Sequence, residues 1–119
     1  MISERSVIVA VDDQDTQREQ LRLELEHRYD RDYDIVIEST PTAALSAIEA
    51  ALVAGQRVAV VLASQWMAGL DGTEVLSRVR GISPRTKRGL LIALEDWGHP
   101  STAAAIQSAI AAGCIDHFL

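Results

Sequence analysis

The sequence predicts an α/β domain in which buried strands and helices alternate around a parallel sheet. Three observations carry that reading. Short runs of β-branched and small apolar residues, above all Val58 to Ala63, fit strands covered on both faces. Between these runs lie stretches with apolar residues at helical spacing, set off by caps, glycines and polar turns. The resulting order, β-α-β-α-β-α-β-α-β, calls for right-handed crossovers, and these make neighbouring strands parallel.

Ser6 to Val11 reads as the first strand, broken by Asp12-Asp13-Gln14-Asp15. Thr16 and Glu19 have capping-box spacing, and a helix follows to about Tyr29 with Leu21, Leu25 and Arg28/Tyr29 on one face. Asp34 to Ser39 is the second strand. Thr40-Pro41 is a cap followed by proline at the first helical position. That helix carries Ala44, Leu45, Ile48, Ala51 and Leu52 inward and stops at Gly55.

The third strand, Val58 to Ala63, leads through a polar loop to Gly72, and Thr73 to about Arg80 forms a short helix. Gly89 to Leu94 is the fourth strand. Ser101 caps a fourth helix with Ala103, Ile106 and Ile110 on one face, Gly113 ends it, and Cys114 to Leu119 starts a fifth strand. No helix follows that strand, so one sheet face near the first helix is expected to stay partly bare.

A length of 119 residues fits one domain with a single core. With 48% hydrophobic but only 4% aromatic residues, that core must be aliphatic. The formal charge is −6, and the one basic cluster, Arg85-Thr86-Lys87-Arg88, reads as a solvated strand start. Nucleic-acid binding and an anionic membrane surface need a concentrated positive face, so both are excluded as partners. No apolar run approaches the roughly 18 residues of a membrane span, and the N-terminal residues do not form a signal peptide. The expected compartment is the cytoplasm. The single cysteine, Cys114, sits among apolar neighbours and reads as a buried structural thiol.

In an open parallel sheet, chemistry collects where strands end and loops begin. Three such ends should converge: Asp12-Asp13, Ser64, and Ile92 to Leu94. Adjacent carboxylates suit a hard cation such as Mg²⁺, and they equally suit a strand end that feeds the positive pole of a helix. A flavin-phosphate or dinucleotide site fails here, because the loop is acidic and lacks glycine. His27, His99 and His117 lack ligand spacing. Trp66 and Trp97 lie in loops on the same side of the sheet, where exposed aromatics anchor partners or pack over a pocket.

Val9-Ala10-Val11-Asp12-Asp13, the loop Met67-Ala68-Gly69-Leu70-Asp71-Gly72 and the five-strand alternation resemble the receiver domain of two-component response regulators, the CheY-like fold. The resemblance spans essentially the whole chain. Ala63-Ser64-Gln65-Trp66-Met67-Ala68-Gly69 and Asp116-His117-Phe118-Leu119 are most similar to receivers fused to thioredoxin-reductase-like flavoproteins. It implies strand order 2-1-3-4-5 with helices on both faces, the final helix being absent from this chain. Residues 1–119 would form one domain, the N-terminal part of a longer protein.

In that family an acidic pair holds Mg²⁺ and an aspartate ending the third strand accepts a phosphoryl group. A Thr or Ser ending the fourth strand and a Lys ending the fifth then sense it. By position the acidic pair is Asp12 and Asp13, which match. The acceptor position is Ser64, which does not. The Thr/Ser position falls on Ile92, or on Ala93 if the alignment slips by one, and the Lys would follow Leu119. Lys87, the one lysine, lies at the wrong end of the sheet, and Ala68 stands where proline is usual.

Acyl-phosphate formation needs an ionised carboxylate as nucleophile, and the groups that would neutralise the phosphate are missing too. The resemblance therefore implies a pseudo-receiver, not an enzyme, retaining at most weak Mg²⁺ binding at Asp12 and Asp13. It would act through a protein partner, a fused domain, or a second copy covering the bare face. The alternatives are a working receiver with Asp71 or Ser64 as acceptor, and a haloacid-dehalogenase-like phosphatase. The latter rests on Asp13-Gln14-Asp15 with Ser64, although Gln17 stands where that motif has Thr or Val.

Overall fold

The computed structural model describes residues 5–92 and 117–118. β1 (Ser6–Val11) is the hub of the sheet, because it pairs in parallel with β2 (Tyr33–Glu38) on one side and β3 (Val58–Ser64) on the other. β4 (Lys87–Leu91) joins β3, and β5 (His117–Phe118) joins β4, giving the order β2-β1-β3-β4-β5 with every pairing parallel. The alternation of buried strands and helices predicts the parallel pairing and the resemblance implies the strand order; the structure has both.

Strand alternation sorts the core into two layers. Val7, Val9 and Val11 of β1, with Val61, Ala63 and Leu90, face α2 (Pro41–Val53) and α3 (Gly72–Ile82), where Ala44, Ile48, Val75, Leu76 and Val79 complete a buried aliphatic cluster. Ile8 and Ala10 face the other way, toward Leu25 of α1 (Asp15–Tyr29). Ile35 and Ile37 of β2 and Val60 and Leu62 of β3 flank that smaller cluster.

Several boundaries differ from expectation, each for a local reason. α1 begins at Asp15, with Gln14 at the cap position and no side-chain cap, so the Thr16/Glu19 box is not formed. Glu19 instead pairs with Arg22 one turn on. β2 runs one residue earlier than predicted, in register with all of β1 from Ser6↔Tyr33 to Val11↔Glu38. β4 starts at Lys87 and ends at Leu91, because β3 pairs with it from Val60↔Lys87 to Ser64↔Leu91.

The basic cluster is therefore not simply a solvated strand start. Thr86 and Arg88 are buried. The Thr86 hydroxyl donates to the Val58 carbonyl at 2.8 Å, and the Arg88 guanidinium donates to the Pro84 and Thr86 carbonyls. The expected fourth helix, Cys114 and Trp97 lie outside the described residues.

The predicted start of α2 holds. Thr40 accepts the Ala43 N–H at 3.2 Å, with Pro41 at the first helical position. Gly55 follows the helix at φ +81°, a conformation that favours glycine. At the amino-terminal rim of the sheet, Gln56 ties three segments together. Its amide nitrogen donates to the Arg5 carbonyl at 2.9 Å and to the Asp34 carboxylate at 2.8 Å.

Candidate functional site

At the opposite rim, a cleft of about 410 Å³ opens where β1 and β3 end. Asp12, Ser64, Leu91 and Ile92 line it from the strands, and Gln17, Gln20, Leu21 and Glu24 line it from α1. The structure thus brings together three residues that the sequence placed at converging strand ends: Asp12, Ser64 and Ile92.

Asp12 is 4% exposed. Its backbone N–H continues the β1–β2 ladder to the Glu38 carbonyl, and its Oδ1 accepts the Gln14 N–H at 2.9 Å. Burial pushes this carboxyl above the ordinary aspartate range, and the neighbouring Asp13 charge adds to the rise. The Gln14 amide and the Arg18 guanidinium act the other way. Arg18 reaches back to donate to the Asp12 carbonyl at 3.2 Å while pairing with Asp15 at 2.7 Å.

Asp13 stands beside the cleft and is turned to a different task. Its Oδ2 accepts the Ala68 N–H at 2.9 Å, and its Oδ1 accepts the Gln14 side-chain amide at 3.2 Å. The first bond pins the β3–α3 loop to the end of β1. Trp66 in that loop is 40% exposed.

Ser64 ends β3 half-buried, opposite Leu91. A hydroxyl stands here with an aliphatic neighbour on β4. Ile92 is 8% exposed and belongs to the α2/α3 core cluster, so it brings packing and no hydrogen-bond donor to the cleft. Lys87 lies at the start of β4, exposed, away from the cleft.

Two features of the site escape sequence reasoning. Gln65 is fully buried, and its Oε1 accepts the Thr73 N–H at 3.2 Å. Its backbone joins Leu91 and Gly72, while its Nε2 makes no hydrogen bond among the described residues. Nothing in the sequence marks a lone glutamine after a strand as buried. The capping role of Asp71 is the second, and here a signal existed: Asp71 and Glu74 have cap spacing. Asp71 Oδ1 accepts the Glu74 N–H at 2.9 Å and the Thr73 hydroxyl at 2.7 Å, capping α3.

The donor set fits Mg²⁺ poorly. A hard cation wants several oxygens in a near-octahedral shell, and here two carboxylates already accept hydrogen bonds from amide groups. No group of three or more His, Cys, Asp or Glu side chains capable of holding a metal occurs among the described residues. Among those residues, too, no helix is long and apolar enough to cross a membrane.

An all-parallel 2-1-3-4-5 sheet with helices on both faces is the CheY-like fold of response-regulator receiver domains. No protein-family profile and no curated protein sequence matches the chain. Among solved structures it is similar to the signal receiver domain of an HD-domain-containing protein from Pseudomonas fluorescens Pf-5. That match has 27% identity and a TM-score of 0.74, and it covers 100% of this chain and 77% of the other. An adenylate cyclase from Rhodopirellula baltica matches with 25% identity and a TM-score of 0.71, covering 97% of this chain and 75% of the other. A CheY-like response regulator receiver domain protein from Methanospirillum hungatei JF-1 shares the fold at 18% identity and a TM-score of 0.72, covering 97% and 80%.

Proposed function

We propose that the chain is a receiver-type signalling module that has lost aspartyl phosphorylation and acts by protein–protein contact. The observation that carries this is the end of β3. Ser64 delivers a neutral hydroxyl to the cleft beside Asp12, where an acyl-phosphate would need a carboxylate. Ile92 supports the same reading from β4, since an alkyl side chain cannot donate to a phosphoryl oxygen. Any Mg²⁺ binding at Asp12 and Asp13 would be weak, for the same shortage of free carboxylate oxygens.

The substitute acceptors fare no better. Asp71 is engaged as the cap of α3. Among the described residues, no histidine lines the cleft to take a proton from Ser64. The phosphatase alternative loses support as well, because Asp15 pairs with Arg18 with its side chain 92% exposed, and Asp13 is held by Ala68.

The test is incubation with a small-molecule phosphodonor and Mg²⁺, followed by intact-mass measurement. The expected result is an unchanged mass. Stoichiometric gain of one phosphate would overturn the reading in favour of a working receiver with a non-standard acceptor. Turnover of a generic phosphoester that disappears in Asp13→Ala would favour the phosphatase instead.

A further inference from the structure

The charges of this chain are sorted along α3. From Ala59 to Ser77 the sequence holds Asp71 and Glu74 and no cation. From Val75 to Ile92 it holds Arg78, Arg80, Arg85, Lys87 and Arg88 and no acid. Asp71, Glu74 and Arg80 suit the poles of that helix. Arg57, Arg85 and Lys87 lie outside any helix, are exposed, and make no ion pair among the described residues. Arg18 and Arg22, by contrast, are neutralised by acids of their own helix.

The three cations share one end of the molecule. β3 and β4 start side by side, and the Thr86 hydroxyl on the Val58 carbonyl ties the turn bearing Arg85 to the residue after Arg57. That turn is stiff: the Thr86 N–H donates to the Ser83 carbonyl at 3.1 Å, and the Ser83 and Thr86 hydroxyls bond at 2.6 Å. Val53 and Ile82, the last residues of the neighbouring helices α2 and α3, are exposed at the same end. Two aliphatic side chains thus stand within a cationic rim.

The other end of α3, about 16 Å away, carries the complement. Trp66 is exposed in the β3–α3 loop. Asp13 grips that loop through the Ala68 N–H, and Asp71 and Glu74 follow it at the head of α3. Here an aromatic side chain stands within an acidic rim. Each end has the make-up of half an interface, a hydrophobic centre bordered by charge. The two are opposite in sign and lie on one molecule, so a second copy is the partner that fits.

We infer that copies of this chain dock end to end, Trp66 of one against Val53 and Ile82 of the next, with Asp13, Asp71 and Glu74 facing Arg57, Arg85 and Lys87. A single exposed ion pair contributes little, so the Trp66 contact sets the strength and the charges set polarity and register. The contact joins unlike surfaces, which leaves one of each sign open at the ends of every assembly. Ser64 takes no part in it, so the mass measurement above and the experiment below fail separately.

Sedimentation of the 119-residue chain at about 0.02 M and about 0.5 M salt is the test. At low salt the mean mass should rise with protein concentration past that of a dimer, and association should weaken at least about tenfold at high salt. Two variants each disable one end: Arg57→Ala with Arg85→Ala and Lys87→Ala, and Trp66→Ala with Glu74→Ala. Each alone should be monomeric, with the circular dichroism spectrum of the wild type. Mixed in equal amounts they should form a dimer and stop there, since each supplies the end that the other lacks.

The proposal is overturned if the wild-type chain stays monomeric at about 1 mM in low salt, if it stops at a symmetric dimer, or if the mixed variants stay monomeric. A monomeric chain whose Arg85 and Lys87 amide NMR signals shift with a synthetic Asp/Glu-rich peptide would assign the cationic end to a foreign acidic segment, and the proposal would fall with it.

Discussion

Asp12 carries a cost that the Gln14 amide and Arg18 relieve only in part. Burial beside Asp13 holds its carboxyl above the ordinary range, so the folded chain binds this proton more tightly than the unfolded chain does. The group therefore penalises folding at neutral pH, and the penalty fades as pH falls through the folded value toward the unfolded one. Asp12→Asn keeps an acceptor for the Gln14 N–H and removes the charge. Thermal unfolding of this variant should occur a few degrees higher than wild type at neutral pH, with the gap closing toward about pH 4. Ser64→Asp should act in the other direction on the same cleft. A third carboxylate raises the Asp12 carboxyl further, lowers stability near neutrality, and strengthens Mg²⁺ binding by roughly tenfold or more in an isothermal titration. A variant with unchanged Mg²⁺ affinity would mean that the cleft lacks room for the ion whatever its charge.

The elements that feed the site owe their positions to caps and one close approach. A methyl group at Gly72 would lie 2.5 Å from the Ser64 carbonyl and 2.9 Å from the Gln65 Cα. Both are backbone atoms that cannot step aside. Gly72→Ala should cost about 1–3 kcal/mol by chemical denaturation and displace the loop bearing Trp66, visible as a change in tryptophan emission. Asp71→Ala should cost about 1 kcal/mol through the lost cap of α3, with little effect on the rest of the sheet. The start of α2 was legible because Thr40-Pro41 acts locally, and the central strands were legible from their unbroken apolar runs. The starts of α1 and β4 were not, because tertiary bonds decide them. A free Thr16-Glu19 box competes with the Arg22 pair on Glu19, and Thr86 and Arg88 are drawn inward by carbonyls at the foot of β3 and in the preceding turn. The same reason hid the Asp13–Ala68 bond, whose partners are 55 residues apart. The site's identities could be read from strand ends alone, whereas its engagements could not.

At the level of the whole molecule, stability should be concentrated on the α2/α3 side. Leu76 is fully buried there, and Leu76→Ala should cost about 2–5 kcal/mol. Leu23, 55% exposed on α1, should tolerate alanine within about 0.5 kcal/mol. Equal losses at the two positions would mean that the α1 layer is better packed than its exposures indicate. The asymmetry has a counterpart along the strands. Gln56 stitches the entries of β1 and β2 together at the rim farthest from Ser64. One end of the scaffold is thus sutured by a side chain that takes no part in what happens at the other. Substitutions among the residues around Ser64 leave that seam untouched, so the chemistry of one rim can change while the other keeps the strands in register.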